Sequence, residues 1–314
     1  MKKLKNIHYT LALAIVALLG CWTPGHAQQD AQYSQYMFNQ LVYNPAYAGS
    51  RDALSATMVL RKQWLGFDGS PTTGNINLHA PIANERHGLG FSFENDRIGL
   101  TSQNNLAFSY AYRIPVSKGF LSLGLDAGLL QYKTRFSQIN PVDPDPSKPS
   151  VDASAMLPRA GAGAYFYTPK FYLGASVPNL LAGRYFGSGN ATAGQLASKQ
   201  SMHMFGMIGA VLPLGKSVSF RPSAVVKYVP NAPMQIDLNA TMFFAKVIGV
   251  GVGYRTSDAL IFMLEFQSAR RFRAGYAYDM TLSPLKTFNS GSHELMIGID
   301  LGWGKANFMT PRYF

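Results

Sequence analysis

Residues able to do covalent chemistry are few in this chain and far apart. The histidines are His8, His26, His79, His87, His203 and His293, and Cys21 is the single cysteine. A serine hydrolase needs a Ser–His pair within hydrogen-bond reach, usually with its serine on a Gly-x-Ser-x-Gly turn. No such turn occurs, and His203 or His293 would have to act as base without one. There is no His-Glu-x-x-His zinc motif and no phosphate-binding glycine loop. Gly249, Gly251 and Gly253 alternate with Val250, Val252 and Tyr254 and precede no helix, so they are not a nucleotide fingerprint. The expectation is a protein without catalytic groups, cofactor or metal.

What remains is chemistry of recognition. The stretch Gln32-Tyr33-Ser34-Gln35-Tyr36-Met37-Phe38-Asn39, followed by Tyr43-Asn44-Pro45-Ala46-Tyr47-Ala48-Gly49, is aromatic, amide-rich and almost uncharged. A solvated tail carries fewer aromatics, so this one packs against something. Internal packing and a surface for a partner are both open readings. Tyr33, Tyr36, Phe38, Asn44 and Pro45 are the residues such a surface would use. Trp64 and Phe67 follow the first long alternating run. They belong either to an interfacial aromatic girdle or to a structured first loop whose turns are set by Gly66, Gly69 and Pro71.

The elements that position these residues begin with an export signal. Lys2, Lys3 and Lys5 precede an apolar run, Leu11 to Gly20, and Gly25-His26-Ala27 offers a small-residue cleavage site. Removal of residues 1–27 is expected; an uncleaved anchor is the alternative. Leu18-Leu19-Gly20-Cys21 resembles a lipoprotein box, with Leu19 and Trp22 poor matches to it. Cutting after Ala27 takes 27 from 314 residues and leaves 287 without cysteine. Three of the 28 basic residues go with the signal, so 25 face 16 acidic ones, a balance of +9. Charged residues are 14% of the chain against about 25% in ordinary soluble domains, and aromatics reach 13%. No later stretch is apolar and long enough to cross a membrane as a helix.

The positional signal is period two. Leu121, Leu123, Leu125, Ala127 and Leu129 alternate with Ser122, Gly124, Asp126 and Gly128. Leu295, Ile297, Ile299, Leu301 and Trp303 alternate with Glu294, Met296, Gly298, Asp300 and Gly302. Successive strand side chains face opposite sides, so each run has one greasy and one small or polar face. Such long runs with so little charge predict an all-β, transmembrane antiparallel β-barrel, because strands in lipid must pair all round. A soluble β-sandwich is the alternative.

About fourteen strands are expected, near 53–63, 72–80, 87–95, 101–113, 119–132, 158–167, 171–177, 201–211, 217–229, 233–244, 247–256, 259–268, 271–281 and 293–303. Connections after even strands are short, several with proline, as at Pro81, Pro115, Pro169 and Pro213. The two longest, 133–157 and 178–200, follow odd strands. Short turns face the periplasm in such barrels, which places the N-terminus there. Charges including Glu94, Arg113, Asp126, Arg159, Arg221, Asp237, Arg255, Glu265, Arg271, Arg273, Asp279 and Asp300 fall on the polar faces and are expected to pair across the lumen. A filled lumen would suit a scaffold and a wet one a porin. Excess basic residues at the rims suit anionic lipopolysaccharide, and no nucleic-acid partner is expected.

Three segments carry a resemblance. The opening Gln32–Gly49 stretch, the element Arg61-Lys62-Gln63-Trp64-Leu65-Gly66-Phe67-Asp68-Gly69-Ser70-Pro71, and the ending Pro311-Arg312-Tyr313-Phe314 resemble, in order, the PorP/SprF family of Bacteroidetes outer-membrane proteins. The proline-rich loop 141–149 and the loop 178–200 do not match that pattern. The resemblance implies a non-enzymatic component of type IX secretion and gliding. Its implied partners are the translocon, a periplasmic lipoprotein or ring, or the C-terminal domain of an exported adhesin. It adds Arg312, Tyr313 and Phe314 to the candidate contact residues. The expected organisation is a signal at 1–27, a periplasmic or lumen-packed segment at 28–50, a barrel at 51–303 and a tail at 304–314.

Overall fold

The computed structural model describes residues 31–51, 53–82, 86–139, 151–181, 184–185, 198–199, 201–268 and 271–302. Fourteen strands build the wall: β1 (Leu54–Lys62), β2 (Thr72–Ile82), β3 (His87–Ile98), β4 (Thr101–Val116), β5 (Gly119–Thr134), β6 (Ala153–Tyr167) and β7 (Phe171–Val177), then β8 (Met204–Ala210), β9 (Val218–Tyr228), β10 (Gln235–Phe244), β11 (Ile248–Arg255), β12 (Ala259–Gln267), β13 (Phe272–Thr281) and β14 (Ser292–Leu301). Every strand is antiparallel to its neighbours in sequence, and β1 closes on β14 from Leu54–Leu301 to Lys62–His293. Leu212–Pro213 adds a short pairing beside β9, and Arg184–Tyr185 pairs with Ser198–Lys199 apart from the wall. Closure leaves no open sheet edge, the condition for strands to stand in hydrocarbon.

The expected strands lie within a few residues of these, with one larger difference. β6 begins at Ala153, not near 158, because Pro158 sits inside the strand opposite Leu129. Pro81, expected in a turn, likewise lies in β2 opposite Gly88. Proline lacks only its own donor, so a strand passes through it where that one bond is dispensable. The turn Ala245-Lys246 is tight because both residues take positive φ, 49° and 58°.

The two faces of the wall differ as the alternation predicts. Ile248, Val250 and Val252 on β11 are about half exposed, while Gly249, Gly251 and Gly253 point inward and are buried. The same outward belt runs through Leu60, Leu78, Phe108, Leu125, Leu264 and Ile297. No helix among the described residues is long and apolar enough to cross a membrane. A continuous exposed aliphatic belt on a closed wall is what lipid tails solvate. Of the charges expected inward, Arg271 is exposed at the foot of β13; it precedes the strand and escapes its alternation. The others are buried or half-buried inside.

The wall is uneven. β4 and β5 have 16 residues each, β7 and β8 seven. One end carries the connections 63–71, 135–152, 178–203 and 282–291, although Gly99-Leu100 and 256–258 on that end are tight turns. The other end has no connection longer than the one at 211–217.

Candidate functional site

Residues 31–51 fill the lumen. Locally they fold as three short turns, Tyr36–Phe38, Gln40–Tyr43 and Pro45–Tyr47, each too short to be stable alone. Asn44 starts the third turn by accepting the Ala46 amide at 2.9 Å, and Pro45 pre-sets its φ at the first position. Its stability comes from the wall. Tyr33, Tyr36, Leu41, Tyr43, Ala46 and Tyr47 form one buried cluster with Tyr165, Tyr172, Phe205 and Ile261. Tyr43 meets Phe205 edge-on at 5.0 Å, and Tyr47 meets Tyr165 at 5.5 Å and His79 at 5.1 Å.

At the long-loop end the plug is held by charge. Arg61 pairs with Asp279 at 2.7 Å and Glu294 at 3.2 Å. Arg255 pairs with Asp279 at 3.1 Å and Asp237 at 2.9 Å. Ser34 sits at the centre of this network. Its hydroxyl donates to Asp279 at 2.7 Å and accepts from Arg61 at 2.9 Å, and its amide donates to Glu294 at 2.8 Å. The Gln35 amide donates to the other Glu294 oxygen at 2.8 Å. Arg255 and Asn239 also reach Ser34, at 3.3 and 3.2 Å, so five strands converge on two consecutive plug residues. The Tyr33 phenol donates to Glu94.

Lower down, the plug is held by shape. Asn44 donates to the Ala164 carbonyl at 3.0 Å, and the Ser176 hydroxyl donates to the Tyr43 carbonyl at 2.7 Å. A Cβ on Gly88 would overlap the Ala48 carbonyl, and one on Gly124 would overlap the Ala46 backbone. Gly88 and Gly124 are therefore grooves in which the plug backbone lies. Gly88→Ala is expected to lift the lower plug and cost about 1–3 kcal/mol. A fall in the temperature at which the folded barrel is lost on gels would register it, and an unchanged temperature would refute the groove. At the foot of the wall Arg51 forms a two-pronged contact with Asp300 at 2.8 and 3.2 Å, which Arg273 also reaches at 3.2 Å.

The expected contact residues are thus separated. Tyr33, Tyr36, Phe38, Asn44 and Pro45 are buried inside, and their contacts are with the wall. Trp64 and Phe67 lie at the long-loop end. Trp64 takes a left-handed φ of 51°, Gly66 and Gly69 take 92° and 73°, and Phe67 is 48% exposed. This loop is tied by backbone bonds to the 282–291 loop, with the Leu65 amide on Gly291 and the Ser290 amide on Leu65, both at 2.8 Å. The Gly99 amide donates to Gly69 at 2.8 Å, clasping a third connection. Leu65, Leu285 and Phe288, like Phe67, stand exposed on these joined loops. Arg312, Tyr313, Phe314, Trp303 and the signal with Cys21 lie outside the described residues.

Sequence reasoning missed the grip of Arg61, Asp279 and Glu294 on Ser34, from 27, 245 and 260 residues away. It read the inward glycines only as a small face. Gly88, Gly90, Gly124 and Gly163, which face Ala48, Leu41, Ala46 and Asn44, were the available signal that another segment passes there. His79 accepts from the Gly49 amide at 3.2 Å, His203 stacks on Phe205, and His87 and His293 bond Tyr110 and Tyr276 at 2.7 Å. Each ring is engaged structurally. Among the described residues no group of three His, Cys, Asp or Glu could hold a metal ion. Two cavities beside the plug, one at Phe38 and Arg221 and one at Tyr43 and Lys227, have about 20 Å³ each. That is room for about one water.

These features define a class: a closed, lipid-facing β-barrel whose described lumen is packed by its own N-terminal segment. Within that class the chain belongs to the PorP/SprF family, since residues 25–299 match the type IX secretion system membrane protein PorP/SprF. The family is non-enzymatic. No curated protein matches the sequence. Among solved structures, the Acinetobacter baumannii outer membrane protein Omp33 is 8% identical, covering 80% of this chain and 100% of that one, with a TM-score of 0.46. A Pseudomonas aeruginosa FadL homologue is 13% identical over 83% and 92%, with a TM-score of 0.45. The CymD monoaromatic hydrocarbon channel is 12% identical over 83% and 91%, with a TM-score of 0.48.

Proposed function

We propose that this barrel stands in the outer membrane with its long-loop end outward and serves type IX secretion as a closed scaffold that binds other proteins. The observation that carries the reading is the lumen packed by residues 31–51, where the two cavities among the described residues beside them have about 20 Å³ each. A filled barrel conducts little, and its charges are used to hold a plug. Its partners are components of the machinery (the translocon, a periplasmic lipoprotein or a ring) or the C-terminal domain of an exported adhesin. Trp64 and Phe67 on the joined outer loops, and Arg312, Tyr313 and Phe314 in the tail, are the contact residues. Tyr33, Tyr36, Phe38, Asn44 and Pro45 act from inside, by fixing the strands that carry those loops. Basic residues at the rims meet lipopolysaccharide.

Crosslinking in cells, gentle extraction and mass spectrometry of what copurifies test this. Type IX components or an adhesin domain are expected, together with electrical silence in planar bilayers. Recovery of the barrel with lipopolysaccharide alone, and steady conductance, would establish a porin instead. Phe67→Ser with Phe288→Ser is expected to reduce the copurified partner about tenfold, the scale of losing one or two interface anchors. The folded barrel should melt unchanged. Equal recovery of partner would move the contact surface elsewhere.

A further inference from the structure

The plug joins β1 at the short-turn end, yet its first described residues lie at the other end. Gln32 bonds Gln235 at 2.7 Å, where β10 leaves the 229–234 loop. Ser34 is held by Asp279 near the end of β13 and by Glu294 near the start of β14, both beside the 282–291 loop. Arg51 pairs with Asp300 at the foot of β14, and Gly49 bonds His79 in the lower part of β2. Residues 31 to 51 therefore run the full height of the wall.

Only residues 28–30 separate Ala31 from the expected cleavage site. Three residues reach about 10 Å at most. A ten-residue strand tilted by about 40° spans roughly 25 Å. Among the described residues the two cavities beside the plug have about 20 Å³ each, too little for a returning backbone.

We propose that the mature N-terminus is displayed on the long-loop face, so that the plug makes a fifteenth, non-strand crossing and the two chain ends leave on opposite sides of the membrane. With the orientation proposed above, on which this placement rests, the N-terminus is outside the cell and differs from the periplasmic one expected by counting strands. The plug then links the two faces covalently: a pull on either end acts directly on Ser34 and Arg51, the residues the wall grips.

The mature chain has no other thiol once Cys21 is removed with the signal. Single cysteines at Ala31→Cys, Lys286→Cys on the long-loop face and Lys216→Cys on the short-turn face are probed with a membrane-impermeant maleimide on intact and permeabilised cells. Ala31→Cys is expected to label on intact cells as Lys286→Cys does, with Lys216→Cys silent until permeabilisation. Labelling of Ala31→Cys that follows Lys216→Cys overturns the proposal. Should Lys216→Cys alone label intact cells, the orientation fails, and the crossing is still judged by which marker Ala31→Cys follows. An epitope inserted between Gln28 and Gln29 provides a second readout. If neither probe is reached from the Lys286 side, the proposal is wrong.

Discussion

Asp279→Ala is expected to be the most damaging single substitution in this barrel, lowering its stability by about 3–5 kcal/mol. Asp279 accepts from Arg61 at 2.7 Å, Arg255 at 3.1 Å and Ser34 at 2.7 Å, all of them buried. Removing it leaves two guanidiniums facing each other in a site with little water, with only Glu294, Asp237 and the half-buried Asp258 to balance them. Desolvated charge without a partner is far more costly than a lost surface ion pair. The Ser34 end of the plug should detach with it. Unfolding in urea, followed by the mobility difference between folded and unfolded barrel, measures the loss. Arg61→Met alone should also destabilise, and the pair with Asp279→Ala should be less damaging than the two added together. A loss below about 1 kcal/mol would mean that water reaches this network and that it is not the anchor it looks.

Deleting residues 31–50 is expected to have the largest functional effect, turning an electrically silent barrel into a conducting one. The plug contributes the buried side chains of Tyr33, Tyr36, Leu41, Tyr43 and Tyr47, each packed on wall residues. Without them the lumen becomes a polar cavity lined by Arg61, Arg113, Asp126, Arg255 and Glu294, which water fills readily. The wall should survive, because its backbone pairing from β1 round to β14 does not pass through the plug. Refolding the shortened chain in detergent and recording in planar bilayers tests both points. Silence from a properly folded shortened barrel would mean that strand side chains alone close the lumen. Conductance from the intact chain would remove the basis for a scaffold.

Much of this architecture was legible residue by residue. The alternation in Ile248 to Tyr254 or Leu121 to Leu129 is local: strand geometry sends each side chain to the face opposite its neighbour, whatever the rest of the chain does. Strand number, the placing of most turns and the inward position of Asp279 and Arg255 followed from that rule. It failed at Arg271, which lies just outside β13, and at the start of β6, expected near 158 and found at Ala153, so that Pro158 lies within the strand. The aromatic character of residues 32–49 showed that they pack against something, since so much apolar surface is not left in water.

The partner in that packing was decided by tertiary structure. Ser34 and Glu294 are 260 residues apart, and nothing in either segment names the other. Only closure of the wall brings Arg61, Arg255, Asp279 and Glu294 to one point, and only the closed lumen shows that Gly88 and Gly124 leave room for a backbone. The direction of the plug was equally beyond local reasoning. Its end at Gln32 and its end at Arg51 are set by which ring of charges each reaches, and that follows from how fourteen strands stagger as they close. The sequence by itself determined a membrane barrel and a segment needing burial; the closed wall decided that its lumen holds that segment, and which way it runs.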